Sequence, residues 1–170
     1  VCKYMIDDCD AQVLVVENTQ QLEKYREYVD DFKDRIKGII IWDDFDNIDR
    51  FWYDKERPFP LIHFCDFIYP RFISEHKLQE MENRSKNLSP WRCQSLIYTS
   101  GTTGYPKGVM ISHDNVCWVS QVVMKLFSLN HTDRGVSYLP LSHIAAQALD
   151  LFIPLFTGAS ITFATPDALK

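Results

Sequence analysis

The stretch VLVVENTQQLEKYREYVDDFKDRIKGIIIW, residues 13–42, decides the fold class. Val13-Leu14-Val15-Val16 is an unbroken run of β-branched residues and leucine, the composition of a strand covered on both faces. Asn18 follows as a helix cap, with Gln21 three residues later placed to reach back to it. Beyond the cap, Leu22, Tyr25, Val29, Phe32 and Ile36 recur at spacings of three and four and draw one apolar stripe along a helix. Glu23, Lys24, Asp31 and Lys33 fill the opposite face. Gly38 is expected to end that helix, and Ile39-Ile40-Ile41-Trp42 to form a second covered strand. Strand, helix and strand in this order predict a right-handed crossover between parallel strands. The stripe is too short for a coiled-coil seam.

The rest of the composition agrees with a folded α/β chain. Of 170 residues, 46% are hydrophobic, 14% aromatic and 24% charged, which excludes a disordered tail or a collagen-like repeat. A net charge of −5 argues against a nucleic-acid partner, because a polyanion would be repelled overall. A local basic site for a small anion is still compatible with that charge. Cys2, Cys9, Cys65, Cys93 and Cys117 are odd in number, widely spaced and free of any CxxC pair. Neither a zinc site nor a disulfide framework is expected, and a reducing compartment is. Three matches to the glycosylation pattern, at Asn83, Asn87 and Asn130, read as chance in the absence of a visible secretory signal. Residue 1 is Val rather than Met, so the natural N-terminus is expected to lie upstream. The apolar stretch from Ile144 to Phe163 is broken by Gln147, Asp150 and Pro154 and reads as a buried helix followed by a strand, not a membrane span.

Three regions are expected: a βαβ unit at 1–42, an irregular connection at 43–90, and a second α/β region at 91–170. In the connection, Pro58, Pro60 and Pro70 interrupt any long element. The pairs Asp44/Asp46 and Asp8/Asp10 have metal-binding spacing but no third acidic partner, so they read as solvated surface. His63 and His76 are isolated and receive no role. After Pro90 the chain carries short apolar strands at Ser95–Tyr98, Val109–Ile111, Val136–Leu139 and Ser160–Phe163. A helix capped by Asp114 or Asn115 runs to about Phe127, with Val119, Val122, Val123 and Leu126 inward. Pro140 ends the third of these strands, and Ser142 or His143 opens the next helix. His113 reads as a local cap or surface residue.

Between the first two of those strands lies Thr99-Ser100-Gly101-Thr102-Thr103-Gly104-Tyr105-Pro106-Lys107-Gly108, with three glycines, four Ser or Thr hydroxyls and one lysine. Glycines allow positive φ and close backbone approach, so successive N–H groups can converge on an anion. The hydroxyls of Thr99, Ser100, Thr102 and Thr103 can donate to phosphate oxygens, and Lys107 adds a positive charge. Charge-assisted hydrogen bonds of this kind contribute roughly 1.5–3 kcal/mol each. A slack Gly/Ser/Thr hairpin without a ligand has the same composition. The Walker pattern does not fit, because Pro106 precedes Lys107 and Gly108 follows it. Nor does the dinucleotide pattern, since Gly101 and Gly104 are three apart and no helix begins at once.

Tyr98-Thr99-Ser100-Gly101-Thr102-Thr103-Gly104-Tyr105-Pro106-Lys107-Gly108-Val109 resembles the phosphate-binding signature of the adenylate-forming acyl-CoA synthetases. Tyr138-Leu139-Pro140-Leu141-Ser142-His143-Ile144 matches a second motif of that superfamily, in the right order. The extended stretch Tyr138–Gln147, with Pro166-Asp167-Ala168-Leu169-Lys170 downstream and the Val13–Leu22 region, is most similar to the bubblegum-type long-chain fatty acid–CoA ligases. The resemblance implies part of the large N-terminal domain of an adenylate-forming enzyme, a mostly parallel sheet with flanking helices.

The resemblance also implies the chemistry. A fatty acid would attack ATP to give an acyl-adenylate and pyrophosphate, and coenzyme A would then displace AMP. Thr99, Ser100, Gly101, Thr102, Thr103, Gly104 and Lys107 would hold the β- and γ-phosphates, with Thr99 also a ligand to Mg²⁺. His143 would border the reacting carboxylate; without the second motif, a helix-start histidine satisfied by backbone would be the plainer account. The later family motifs, including a second metal ligand and a lysine-bearing C-terminal domain, are not found before Lys170. The 170 residues alone are therefore expected to show little or no ligase activity. The competing class is a truncated, non-catalytic nucleotide-binding or scaffold protein. A cytoplasmic setting is expected, and a fatty substrate is compatible with peripheral contact at the endoplasmic reticulum or another membrane surface.

Overall fold

The computed structural model describes residues 1–43, 47–53, 59–69, 73–100 and 104–165. The carboxylates Asp44 and Asp46, the prolines Pro58 and Pro70, the loop residues Gly101, Thr102 and Thr103, and the segment Pro166–Lys170 lie outside them. The chain divides into two compact units, Val1–Lys86 and Asn87–Lys170.

The first unit is built on three short parallel strands, β1 (Val13–Val16), β2 (Gly38–Ile41) and β3 (Leu61–His63), in the order β1-β2-β3. Val13 pairs with Gly38 and Ile39 with Leu61. All four residues of β2 are buried, as its isoleucine run requires of a central strand. The expectation for β1 was wrong on one face. Leu14 and Val16 are buried, whereas Val13 and Val15 are exposed: side chains alternate between the two faces of a strand, and at β1 one face is left uncovered. Gly38 opens β2 rather than capping a helix, and its φ is not positive.

The single helix expected between β1 and β2 is three pieces: α2 (Thr19–Glu23), a 3₁₀ turn (Arg26–Tyr28) and α3 (Val29–Phe32). Asn18 caps α2, accepting from the Gln21 amide at 3.1 Å. At the joins the backbone bonds run from i to i−3, as from Tyr25 N–H to Leu22 C=O and from Tyr28 N–H to Tyr25 C=O. Those tighter turns keep the stripe facing inward while giving up a continuous α-helical ladder. Leu22, Val29, Phe32 and Ile36 are accordingly buried, and Tyr25 packs against the same core. Trp52 and Phe59 close it from the connection that follows β2.

Three helices of this unit had no expectation attached. Helix α1 (Cys2–Asp8), which carries its own i,i+4 pair Lys3–Asp7 at 2.8 Å, is tied to the rest by Lys3 to Asp31 at 3.5 Å and by Arg35 to Asp7. After β3 come α4 (Phe64–Ile68) and α5 (Glu75–Lys86). The second of these buries no residue and carries the i,i+4 pairs Glu80–Arg84 and Glu82–Lys86. Asp8 and Asp10 are both exposed, in keeping with a solvated surface.

Charge links the crossover to the connection. Glu23 accepts from Arg26 and, at 2.7 Å, from the Trp52 indole N–H; Arg26 also reaches Asp49 at 3.0 Å. The Arg26 hydrogen bond holds the Glu23 carboxyl below its ordinary range. The Phe51 amide, then Arg26, does the same for Asp49, and Lys3 with Arg35 for Asp7. Because the native state binds these protons less tightly than the unfolded chain, their stabilisation is complete above about pH 5 and is lost as pH falls through the depressed native values. Urea midpoints measured at pH 7, 5 and 3 should hold between the first two and drop at the third. An unchanged midpoint at pH 3 would contradict this account.

The second unit contains the antiparallel pair β4 (Cys93–Thr99) and β5 (Lys107–Ser112), then α6 (His113–Phe127). Its parallel pair is β6 (Arg134–Ser137) and β7 (Ser160–Phe163). Between those strands run α7 (Ile144–Ala146), a π-helical turn (Gln147–Phe152) and α8 (Ile153–Thr157). Pro154 explains the π turn: it has no N–H to offer the Asp150 carbonyl, so the ladder widens there. The Ile144–Phe163 stretch is thus a helical segment and a strand, as expected, but the helical segment is not buried throughout, with Ile144, Leu149 and Phe156 exposed. Ala146 and Ile153 are its buried residues while Leu155 is exposed. Among the described residues no helix is long and apolar enough to cross a membrane.

Three expectations change here. The cap of α6 is Ser112, whose hydroxyl accepts from the Asn115 amide while the Asn115 side chain accepts from the Ser112 amide. Asp114 lies in the first turn, where its charge faces the positive helix end. The inward face of α6 is centred on Ser120, which is fully buried, and Val119, Val122 and Leu126 are exposed. The strand expected at Val136–Leu139 is β6, two residues earlier, because Ser137 and not Leu139 makes the last pair with β7.

Candidate phosphate-binding site

The hairpin β4–β5 frames the glycine-rich loop. Leu96 pairs with Met110, Ile97 with Val109, Tyr98 with Gly108, and Thr99 with Lys107 as the last pair before the loop. Residues directly opposite in an antiparallel ladder project their side chains from the same face. Thr99 and Lys107 therefore stand side by side at the mouth of the loop, both exposed. Ser100 follows Thr99 and is also exposed.

Tyr98 and Gly108 form the pair beneath. A Cβ placed on Gly108 would lie 3.1 Å from Tyr98 Cζ and 3.3 Å from its hydroxyl oxygen, so the ring occupies the space over the glycine. Both residues belong to the signature read from sequence, but that one covers the other is legible only once the register sets them face to face. Gly104 is needed for a different reason. Its φ is +116°, while nothing lies within 4 Å of where a Cβ would sit. Backbone handedness, not space, demands glycine there. Gly104→Ala is expected to cost about 1–3 kcal/mol through that strain alone. Thermal unfolding of the variant should show the loss, and an unchanged midpoint would mean that the turn relaxes freely.

The second motif lies on the other strand pair of this unit. Tyr138, Leu139 and Pro140 follow β6, and His143 is the N-cap residue of α7, exposed, with no capping bond from its imidazole. The His143 amide donates to Pro140 C=O at 3.0 Å, and the Gln147 amide to His143 C=O at 3.1 Å. Two side-chain bonds brace the same segment. Gln147 Nε2 donates to Leu141 C=O at 2.7 Å, and the buried Ser137 Oγ donates to Asp150 Oδ2 at 2.7 Å. Sequence reasoning read Asp150 only as a polar interruption, and Gln147 as that and as the end of the stretch that carries the resemblance, with a bracing role for neither. Thus Thr99, Ser100, Gly104 and Lys107 gather around one hairpin mouth, while His143 belongs to the β6–α7 connection; Gly101, Thr102 and Thr103 lie outside the described residues.

Two cavities flank the braced segment. One of about 250 Å³ is lined by Tyr138, Leu139, Leu149, Asp150, Ile153 and Ile161, among others. A smaller apolar one of about 120 Å³ lies between β5, α6 and the α7 region, lined by Ile111, Val119, Ser120, Ile144 and Phe152. The Ser120 hydroxyl is buried there without a hydrogen-bond partner.

Residues 2–170 match the model of the family described as AMP-binding enzyme. Long-chain-fatty-acid–CoA ligase ACSBG2 of Homo sapiens is 41% identical over 100% of this chain, which covers 24% of that protein. Long-chain-fatty-acid–CoA ligase ACSBG1 of Bos taurus is 35% identical over 99% of the chain and 22% of its own length. The chain therefore spans about a quarter of the length of the curated relatives it matches. Among solved structures, the anthranilate CoA ligase AuaEII in complex with anthranoyl-AMP superposes with a TM-score of 0.70 at 23% identity. That match covers 97% of this chain and 28% of that one. The Vibrio cholerae adenylation domain AlmE gives 0.64 at 23%, over 98% and 29%. These likenesses show a shared α/β fold with parallel strands and flanking helices.

Proposed function

Since the chain belongs to the AMP-binding enzyme family, we propose that it carries the nucleotide-phosphate site of a long-chain fatty acid–CoA ligase. The observation that carries this reading is the terminal hairpin pair, which sets the Thr99 hydroxyl and the Lys107 ammonium on one face at the mouth of a glycine-containing loop. Similarity to long-chain-fatty-acid–CoA ligases along the whole chain supports the substrate class.

In this reaction a fatty carboxylate oxygen attacks the α-phosphorus of ATP. The new acyl–O–P bond forms as the α–β phosphoanhydride breaks and pyrophosphate leaves with its electron pair. The thiolate of coenzyme A then attacks the acyl carbon, making the thioester and releasing AMP. Bringing a carboxylate against a polyanion is the electrostatic difficulty, so charge neutralisation and positioning carry the catalysis. Lys107 neutralises the departing β- and γ-phosphates. Thr99 and Ser100, with Thr102 and Thr103, donate hydroxyl hydrogen bonds to them, and Gly101 and Gly104 let the backbone come close. His143 borders the reacting carboxylate.

Magnesium fits this donor set as a phosphate-held ion. One hydroxyl, from Thr99, is a realistic protein share for an ion that keeps several waters. Among the described residues no cluster of three His, Cys, Asp or Glu side chains offers an all-protein site. When bound, Mg²⁺ supplies further neutralisation of the phosphate charge. A cytoplasmic enzyme meeting its fatty substrate at a membrane surface, such as the endoplasmic reticulum, is the setting in which these parts make sense.

The test is pyrophosphate release by the intact gene product from ATP and Mg²⁺, comparing palmitate with benzoate and free amino acids. Palmitate-dependent release is the expected result. Release driven only by aryl or amino acids would overturn the substrate class, and no release with any carboxylate would overturn the activity.

A further inference from the structure

The second motif is held by side chains that belong to neither motif. Ser137, the last residue of β6, is 4% exposed, and its hydroxyl donates to Asp150 across 13 residues of sequence. Inside that closed loop, Gln147 returns its amide to Leu141 C=O. His143 stands between these two ties, and its own imidazole has no capping bond to fix it. The π turn matters here, since Gln147 and Asp150 both belong to the widened segment that Pro154 imposes. Widened turns of this kind cost hydrogen-bond geometry and recur where a side chain has to be aimed.

We propose that Asp150 and Gln147 are positioning residues that fix the His143 backbone, Asp150 by locking the π turn to the end of β6 and Gln147 by clamping the turn before α7. The inference rests on the reading of His143 as a residue at the reacting carboxylate, but the tie itself is independent of it. A partly buried carboxylate that accepts a short bond from a buried hydroxyl is a high-stakes contact, because removing either partner leaves the other unsatisfied. Asn at position 150 keeps an acceptor oxygen for Ser137, whereas Ala does not. Glu at position 147 keeps the shape of the side chain and removes the N–H donor.

Two readouts on the intact gene product decide the matter. The first is the His143 imidazole resonance, assigned by its loss in His143→Gln, with the His113 and His131 resonances as internal references. Gln147→Glu and Asp150→Ala should shift and broaden or split the His143 signal and leave the references in place, and Asp150→Asn should restore it. Should Asp150→Ala fail to fold, the Gln147→Glu change, at a half-buried position, carries the test unaided. An unmoved His143 signal in Gln147→Glu overturns the proposal. The second is palmitate-dependent pyrophosphate release, where kcat should fall at least 10-fold in Gln147→Glu with KM for ATP within 2-fold of the parent. An unchanged kcat, or a fall equalled by a rise in KM for ATP, overturns the positioning role. If His143→Gln itself leaves release unchanged, it is the assignment of His143 that fails, and the functional role of the ties fails with it, even where the resonance test shows that they exist.

Discussion

Lys107→Ala should lower kcat/KM for palmitate-dependent pyrophosphate release by about 100-fold, equivalent to about 2.7 kcal/mol of transition-state stabilisation. The expectation follows from the position of Lys107 opposite Thr99 at the loop mouth and from its exposure, which leaves the ammonium free of a structural burden. Removing one charge-assisted donor from a departing polyanion removes roughly 1.5–3 kcal/mol. Lys107→Arg keeps the charge but replaces a compact ammonium with a broad planar fork, so a partial loss is expected. The unfolding midpoint should stay with the parent in both variants. A loss of less than about 3-fold in the alanine variant, well under 1 kcal/mol, would place the phosphates elsewhere.

Phe32→Ala should destabilise the first unit by about 3–5 kcal/mol. Phe32 is 1% exposed at the centre of the core formed with Leu22, Val29, Ile36, Ile39 and Ile41. Its ring also lies 6.1 Å from that of Tyr28 and beneath the charged ends of Lys3 and Arg35, at 5.9 and 5.7 Å. Truncation therefore leaves a cavity and unseats two side chains whose charges pair with Asp7. Set against a typical domain stability of about 5–15 kcal/mol, this is a large share. Ile36→Val, which removes one methylene at the edge of the same stripe, should cost only about 0.5–1.5 kcal/mol. Urea unfolding of both variants gives the comparison, and equal midpoints would mean that Phe32 is not central.

Strands announced themselves in this sequence wherever apolar β-branched residues ran together. The run Val13–Val16 became β1 with the bounds read from sequence, whereas of the expected strand Ile39–Trp42 the three isoleucines are buried in β2 and Trp42 lies past its end, exposed. Composition could not say that β1 has one bare face, because coverage depends on what packs beside it. Strand β3 is three residues long, preceded by Pro60 and followed at once by a helix, too short for any period to develop. Helix α5 carries no apolar stripe because it buries nothing; its signal was the pair of acidic residues set four before Arg84 and Lys86. Ser112 was passed over as a cap in favour of Asp114 and Asn115, although Ser and Asn three apart can satisfy each other's amides. In the candidate site, the hydroxyls, glycines and lysine stood out because phosphate chemistry would demand those residue types close together in sequence, and the structure adds that Thr99 and Lys107 face each other at the loop mouth. The Ser137–Asp150 tie did not stand out, since its partners meet across a π turn that only Pro154 hints at.

The hairpin that frames the loop is also the sheet with the most local contacts in its unit. Its last pair closes over residues 100–106 alone, whereas β6 reaches β7 only after a whole helical segment has been laid down. Loop-closure entropy grows with the chain enclosed, so the local pairing is the less costly to form from an unfolded state. Order of assembly then favours the frame of the proposed phosphate site: it can take shape early on a growing chain, ahead of the parallel pair that must wait for Ser160 to emerge.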